Sequence, residues 1–167
     1  VRLRFSADSP LIAHGLVELS TATGWATDPP LVYKRIRITD RVLDFIEGAS
    51  EPPPSVLGSA GRFIAQPMPA SDVLLPEPAL IDQIARALSR PDQLVELVGA
   101  LGVGRKSVVG AAARQLGRPM LVIDLAEVAV DARALVAVLK PLIREAHLQD
   151  AVLVLENAHE YGDAEGQ

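Results

Sequence analysis

The segment Gly99-Ala100-Leu101-Gly102-Val103-Gly104-Arg105-Lys106-Ser107 combines closely spaced glycines with two consecutive basic residues and a hydroxyl. Residues of these types in this order suit a phosphate. Glycines let the backbone curl until successive N–H groups face an anion, and a helix starting directly afterwards adds its unpaired N–H groups and positive dipole end. Set against G-x-x-x-x-G-K-[ST], Gly99 and Gly104 supply the two glycines. Arg105 then stands at the lysine position and Lys106 at the position of the magnesium-binding hydroxyl. An arginine meets phosphate through a planar fork, unlike a compact ammonium, and an ammonium in the hydroxyl position repels magnesium. A one-residue bulge is the alternative: it returns Lys106 to the phosphates and Ser107 to the metal. A plain tight turn joining strand to helix competes with both registers.

A second segment argues against the plain turn. In Val152-Leu153-Val154-Leu155-Glu156-Asn157, four apolar residues lead into two polar ones, where hydrolytic phosphate-loop proteins carry Asp and then Glu. The Glu156 carboxylate suits a magnesium ion, directly or through water. Asn157 cannot take a proton from an attacking water. With Arg105 and Lys106 also out of pattern, water activation and charge neutralisation are weakened together, so binding without turnover is the expectation. The candidate nucleotide-binding residues are thus Gly99, Gly102, Val103, Gly104, Arg105, Lys106 and Ser107. Glu156 and Asn157 are the candidates at the degenerate catalytic position, with Glu156 also the candidate magnesium ligand.

Other chemistry-bearing residues carry less. His14, His147 and His159 have no ligand spacing among them and read as surface or packing residues. Asp124 ends an apolar stretch, a place where parallel sheets gather ligands, or simply caps the following loop. Trp25 reads as folded onto its own domain, and Arg2, Arg4, Lys34, Arg35 and Arg37 as a solvated strand edge. The absence of cysteine excludes disulfides and thiolate chemistry and makes the cytoplasm the expected compartment. A net charge of −5 argues against broad nucleic-acid binding. Although 49% of residues are hydrophobic, no apolar run approaches the ~20 needed for a membrane span, so no membrane partner is expected. The chain starts at Val1 and ends in the polar run Tyr161 to Gln167, and it reads as a piece of a longer protein.

These residues need elements to hold them, and the pattern predicts three regions. Residues 1–48 read as a small α+β unit: strands at Leu16 to Leu19 and Leu31 to Ile38, then a helix Arg41 to Glu47 capped by Thr39 or Asp40 and stopped by Gly48. Residues 49–78 hold seven of the thirteen prolines, which predicts a linker without regular structure. Its apolar residues, Val56, Leu57, Phe63, Ile64 and Val73 to Leu75, predict anchoring against a neighbour. Residues 79–167 alternate helix and strand. Helix Ala79 to Ser89, strand Gln93 to Val98, the glycine turn, helix Lys106 to Leu116 and strand Met120 to Leu125 come first. A helix from the Asp131 cap to about His147, kinked or split at Pro141, and strand Ala151 to Leu155 follow. This α/β alternation predicts a parallel sheet whose three visible strands are buried on both faces.

In this order and spacing, from about Ser71 to Tyr161, the chain resembles AAA+ ATPases, including the helix before the first strand and the phrase Gly117-Arg118-Pro119-Met120-Leu121-Val122-Ile123-Asp124-Leu125. The resemblance implies a three-layer P-loop NTPase-like core, ATP or ADP with magnesium as cofactors, and action through self-association or a larger protein assembly. The sensors, arginine finger and lid of that family have no counterpart in this sequence. Ser9 to Leu19 and Arg37 to Phe45 further resemble the winged-helix unit that precedes the ATPase in proteins of bacterial contractile injection systems. That likeness implies a role in assembling or maintaining a phage-tail-like particle.

Overall fold

The computed structural model describes residues 5–6, 9–21, 28–67, 78–90, 93–100, 102–128 and 132–159, with 132–134 described by backbone alone. Arg2, Arg4, Trp25, the run Val73 to Leu75, Leu101, the Asp131 cap and the polar tail lie outside these residues.

The fold is mixed α/β, with six α-helices and two small sheets among the described residues. Helix α1 is Pro10–Ala13 and strands β1 and β2 are Val17–Thr21 and Lys34–Ile38, paired antiparallel with Val17 opposite Ile38. Helix α2 is Asp40–Ile46, with Thr39 at its N-cap. Helix α3, Pro54–Leu57, leads into β3, Gly61–Ile64. Helices α4 and α5, Pro78–Leu88 and Arg105–Gln115, pack against each other. Strand β4, Met120–Asp124, then helix α6, Ala132–Leu148, and strand β5, Val152–Glu156, complete the order.

Strand β4 organises the larger sheet, whose order is β3-β4-β5. Its first four residues, Met120 to Ile123, are all buried, as a strand covered on both faces requires. Leu121 and Ile123 pack with Leu142 and Ala146 of α6, while Met120 and Val122 pack with Ala113 of α5. Alternate side chains thus meet different helices. β5 runs parallel to β4, with Met120 opposite Val152 and Asp124 opposite Glu156. β3 runs antiparallel on the other edge. None of the helices among the described residues is long and apolar enough to cross a membrane.

Four expectations are revised here. The proline-rich stretch is partly regular: Pro53 caps α3 and Pro54 opens it, where no backbone donor is needed. Gly61 lets β3 follow closely, since a Cβ there would lie 2.6 Å from the Leu57 carbonyl oxygen. The sheet is consequently mixed, because β3 takes the edge of β4 in antiparallel sense. Gln93 to Val98, expected as a buried strand, belongs to neither sheet. Only its alternate residues Val95 and Leu97 pack, against Ile84, Ala85, Val108 and Ala112, while Leu94 and Val98 stay 91% and 85% exposed. Glu96 between them marks a segment with one buried face. Finally, of the two alternatives expected at Pro141 the split does not occur: α6 runs through the proline as one helix. Leu135, Val138 and Leu139 before it and Leu142 and Ala146 after it join one core cluster, which offsets the roughly 3 kcal/mol that an interior proline costs.

The N-terminal unit is fastened to α6 by a buried ion pair. Arg41 of α2 donates from Nε to Glu145 Oε2 at 2.8 Å and from Nη2 to Oε1 at 2.5 Å, with side chains 5% and 0% exposed. Nη1 of Arg41 donates to the Ala49 carbonyl, Gln149 donates to Glu145 Oε1, and Arg144 donates to the Gly15 carbonyl at 3.1 Å. Removing one charge would strand the other in a dry site. Glu145→Ala should therefore destabilise the fold by about 3–5 kcal/mol. The double replacement Arg41→Met with Glu145→Leu should cost far less, a contrast read directly from denaturant unfolding midpoints.

Candidate functional site

The start of α5 and the C-terminal ends of β4 and β5 come together at one end of the larger sheet. Parallel pairing sets Asp124 opposite Glu156, so the two strands end level with each other. The loop before α5 depends on its glycines. Gly102 and Gly104 both have φ of 84°, and a Cβ on either would meet nothing within 4 Å. Conformation, not space, requires glycine at these two positions. Gly104 is the N-cap of α5, and the amide of Val108 makes the first bond back, to its carbonyl at 3.0 Å. As at any helix start, the N–H groups of Arg105, Lys106 and Ser107 have no partner inside the helix.

The two basic residues go separate ways. Arg105 folds back on its own loop, donating from Nη1 to the Gly99 carbonyl at 2.7 Å. Lys106 crosses to the strand end, where its Nζ lies 2.6 Å from Glu156 Oε2. The pair is asymmetric: the lysine side chain is 69% exposed and the glutamate 11%. The second carboxylate oxygen, Oε1, is buried and has no hydrogen-bond partner. Val103 is exposed, and Ser107, one residue further along α5, is half-buried.

Asn157 turns away from this pair. Its backbone sits in the left-handed region, φ 56°, and its amide nitrogen donates to Asp124 Oδ1 at 2.6 Å. The same oxygen accepts from the Ala126 amide, so Asp124 caps the loop after β4 while anchoring the residue after Glu156. Sequence reasoning gave Asp124 little weight. The signal that would have raised it is the equal length of two parallel strands ending in acidic residues.

Among the described residues no group of three His, Asp or Glu side chains gathers to hold a metal. Glu156 fits the role of a magnesium ligand, since magnesium commonly takes one or two carboxylates and completes its shell with phosphate oxygens and water, and Oε1 lacks a partner. His14 and His147, distant in sequence, meet edge to face with ring centroids 4.6 Å apart where α1 lies on α6. His159 is exposed.

The arrangement can hold an anion at the start of α5 and present one cation and one carboxylate to it. Of the two residues expected in the catalytic position, Asn157 is an amide, and Glu156 is paired with Lys106 through Oε2 while its Oε1 has no hydrogen-bond partner. The dependence of the loop on glycine gives a direct check. Gly104→Ala should cost about 1–2 kcal/mol through its left-handed φ alone, with Gly104→Asn costing less, as measured by chemical denaturation. Comparison of the chain with protein-family models, with curated proteins and with solved structures finds no match.

Proposed function

We propose that this chain is a P-loop, AAA+-like nucleotide-binding module that holds ATP or ADP at the start of α5 and turns it over negligibly, acting within a larger protein assembly. The observation that carries this reading is the Lys106 to Glu156 contact across the mouth of the loop. It favours the bulged register, in which Lys106 serves the phosphates and Ser107 and Glu156 stand near the metal. Arg105, engaged with Gly99, is then a loop brace. The glycine-built turn and the unpaired amides at the helix start supply the anion contacts. Negligible turnover follows from Asn157, which has no proton-accepting group and is tied to Asp124.

The assembly role rests on the N-terminal likeness to winged-helix units of contractile injection systems and on the docking of that unit against α6. A second reading, a scaffold or adaptor without nucleotide, is favoured by the Arg105 bond to Gly99, which closes the loop on itself as a structural turn would.

Thermal unfolding with nucleotide separates the two. A ligand bound only to the folded state stabilises it by about 2.7 kcal/mol at a hundredfold excess over Kd. Millimolar ADP or ATP with magnesium should raise the unfolding temperature of the parent chain and of Arg105→Ala, and should leave Lys106→Ala unmoved. Phosphate release should stay at background. Steady turnover that Lys106→Ala abolishes would replace this reading with a working ATPase in the same register. No shift at millimolar nucleotide would leave the scaffold.

A further inference from the structure

We propose that the groove between α1 and α6 binds a small amphiphilic anion, a short hydrocarbon body carrying one carboxylate; the site lies apart from the glycine loop and does not depend on the nucleotide reading. The groove has a volume of about 230 Å³ and is lined by Ala13 and His14 from α1 and its C-cap and by Val136, Leu139, Lys140 and Ile143 from α6. Its wall is mainly hydrocarbon, and Val136 is 68% exposed, so apolar surface remains to be buried there. The volume exceeds the roughly 150 Å³ that takes up a benzene and falls short of the roughly 300 Å³ at which sites for drug-sized ligands begin. One short chain therefore suits it. A partner helix would bring a row of anchors from successive turns, more than this groove can take.

Charge sets the head group. Lys140 Cε and Arg144 Nη1 lie 3.2 and 3.7 Å from where a Cβ on Gly15 would stand, so both cations flank the residue that follows His14. Arg144 donates only to neutral groups, the Gly15 carbonyl at 3.1 Å and the Thr39 hydroxyl at 3.4 Å, and so keeps its full charge. Its Nε is buried without a hydrogen-bond partner. The neighbouring carboxylate, Glu145, is engaged by Arg41. Among the described residues no carboxylate pairs with Lys140 or Arg144. In a chain of net charge −5 this end of the groove is a local surplus of positive charge. A carboxylate bound there gains by attraction, whereas an alkylammonium of the same length meets like charges. A second copy of the chain stacked two-fold on this face would bring both sets of cations together, which disfavours it as the occupant.

Titration of the ¹⁵N-labelled full chain with sodium octanoate, followed by amide resonances, tests this. Saturable shifts should appear at Ala13, His14, Val136 and Ile143, with Gly102 and Gly104 of the glycine loop unmoved. Octylammonium, the same chain with the opposite charge, should bind about tenfold more weakly, and acetate, the head group without the body, should shift nothing. Lys140→Gln should weaken octanoate about threefold. Val136→Glu, a change at an exposed position, should weaken it to a similar degree while leaving the unfolding temperature of the free protein unchanged. Equal affinity for octanoate and octylammonium would reduce the site to an apolar groove without anion selectivity and overturn the proposal. Shifts confined to the glycine loop, or no saturable shift at millimolar octanoate, would do the same. Movement of the α1 and α6 resonances with protein concentration alone would put a second copy in the groove instead. Each of these results leaves the thermal shift with ADP, and with it the nucleotide reading, to stand or fall separately.

Discussion

Covering β4 on both faces is the constraint from which the arrangement of this chain follows. Four consecutive buried side chains demand a helix on each side: α6 answers Leu121 and Ile123, and α5 answers Met120 and Val122. Once α5 lies on one face and β5 pairs in parallel, the start of that helix and the ends of both strands share one end of the sheet. The glycine loop, Lys106, Glu156 and Asp124 become neighbours as a result of core packing. No separate device has to bring them together. A residue such as Ala113, with no exposed surface, therefore helps set the distance between Lys106 and Glu156.

A second constraint acts through α6. The same helix that covers β4 also receives the N-terminal unit through Glu145, a carboxylate with no exposed surface, and Arg41. An ion pair of this kind gains little over an apolar contact, because both charges lose their water. Its value lies in allowing one arrangement: displacement of α2 from α6 separates two charges in a dry contact. The N-terminal unit and the α/β core are accordingly coupled in position through one helix.

Much of this was legible locally. Helices α2, α4, α5 and α6 and strands β4 and β5 follow from apolar spacing, caps and stops that act within a few residues, and the structure has them within about two residues of the expected ends, the usual uncertainty of helix boundaries. β3 was hidden because Gly61–Ile64 is too short to show a period and lies between prolines; its strand state comes from pairing with β4. Gln93 to Val98 misled because apolar content suggested two buried faces, whereas Glu96 signalled one. At the site, the glycine turn and Glu156 stood out by type and spacing. The division of labour between Arg105 and Lys106 did not, since it depends on where each side chain finds an acceptor in three dimensions. The meetings of Arg41 with Glu145 and of His14 with His147 join remote segments and leave no local trace.

The segment entering the glycine loop has a consequence of its own. Residues 93 to 98 join neither sheet of the described residues and leave Leu94 and Val98 exposed. Exposed apolar side chains on a segment outside any sheet are available for burial against another surface. Glu96 is exposed with those two apolar residues, so stacking two copies along this segment would press like carboxylates into a drying contact. A self-association that buried this face would therefore have to strip water from the Glu96 carboxylate without giving it a partner, which makes the segment a costly one to stack on its own copy.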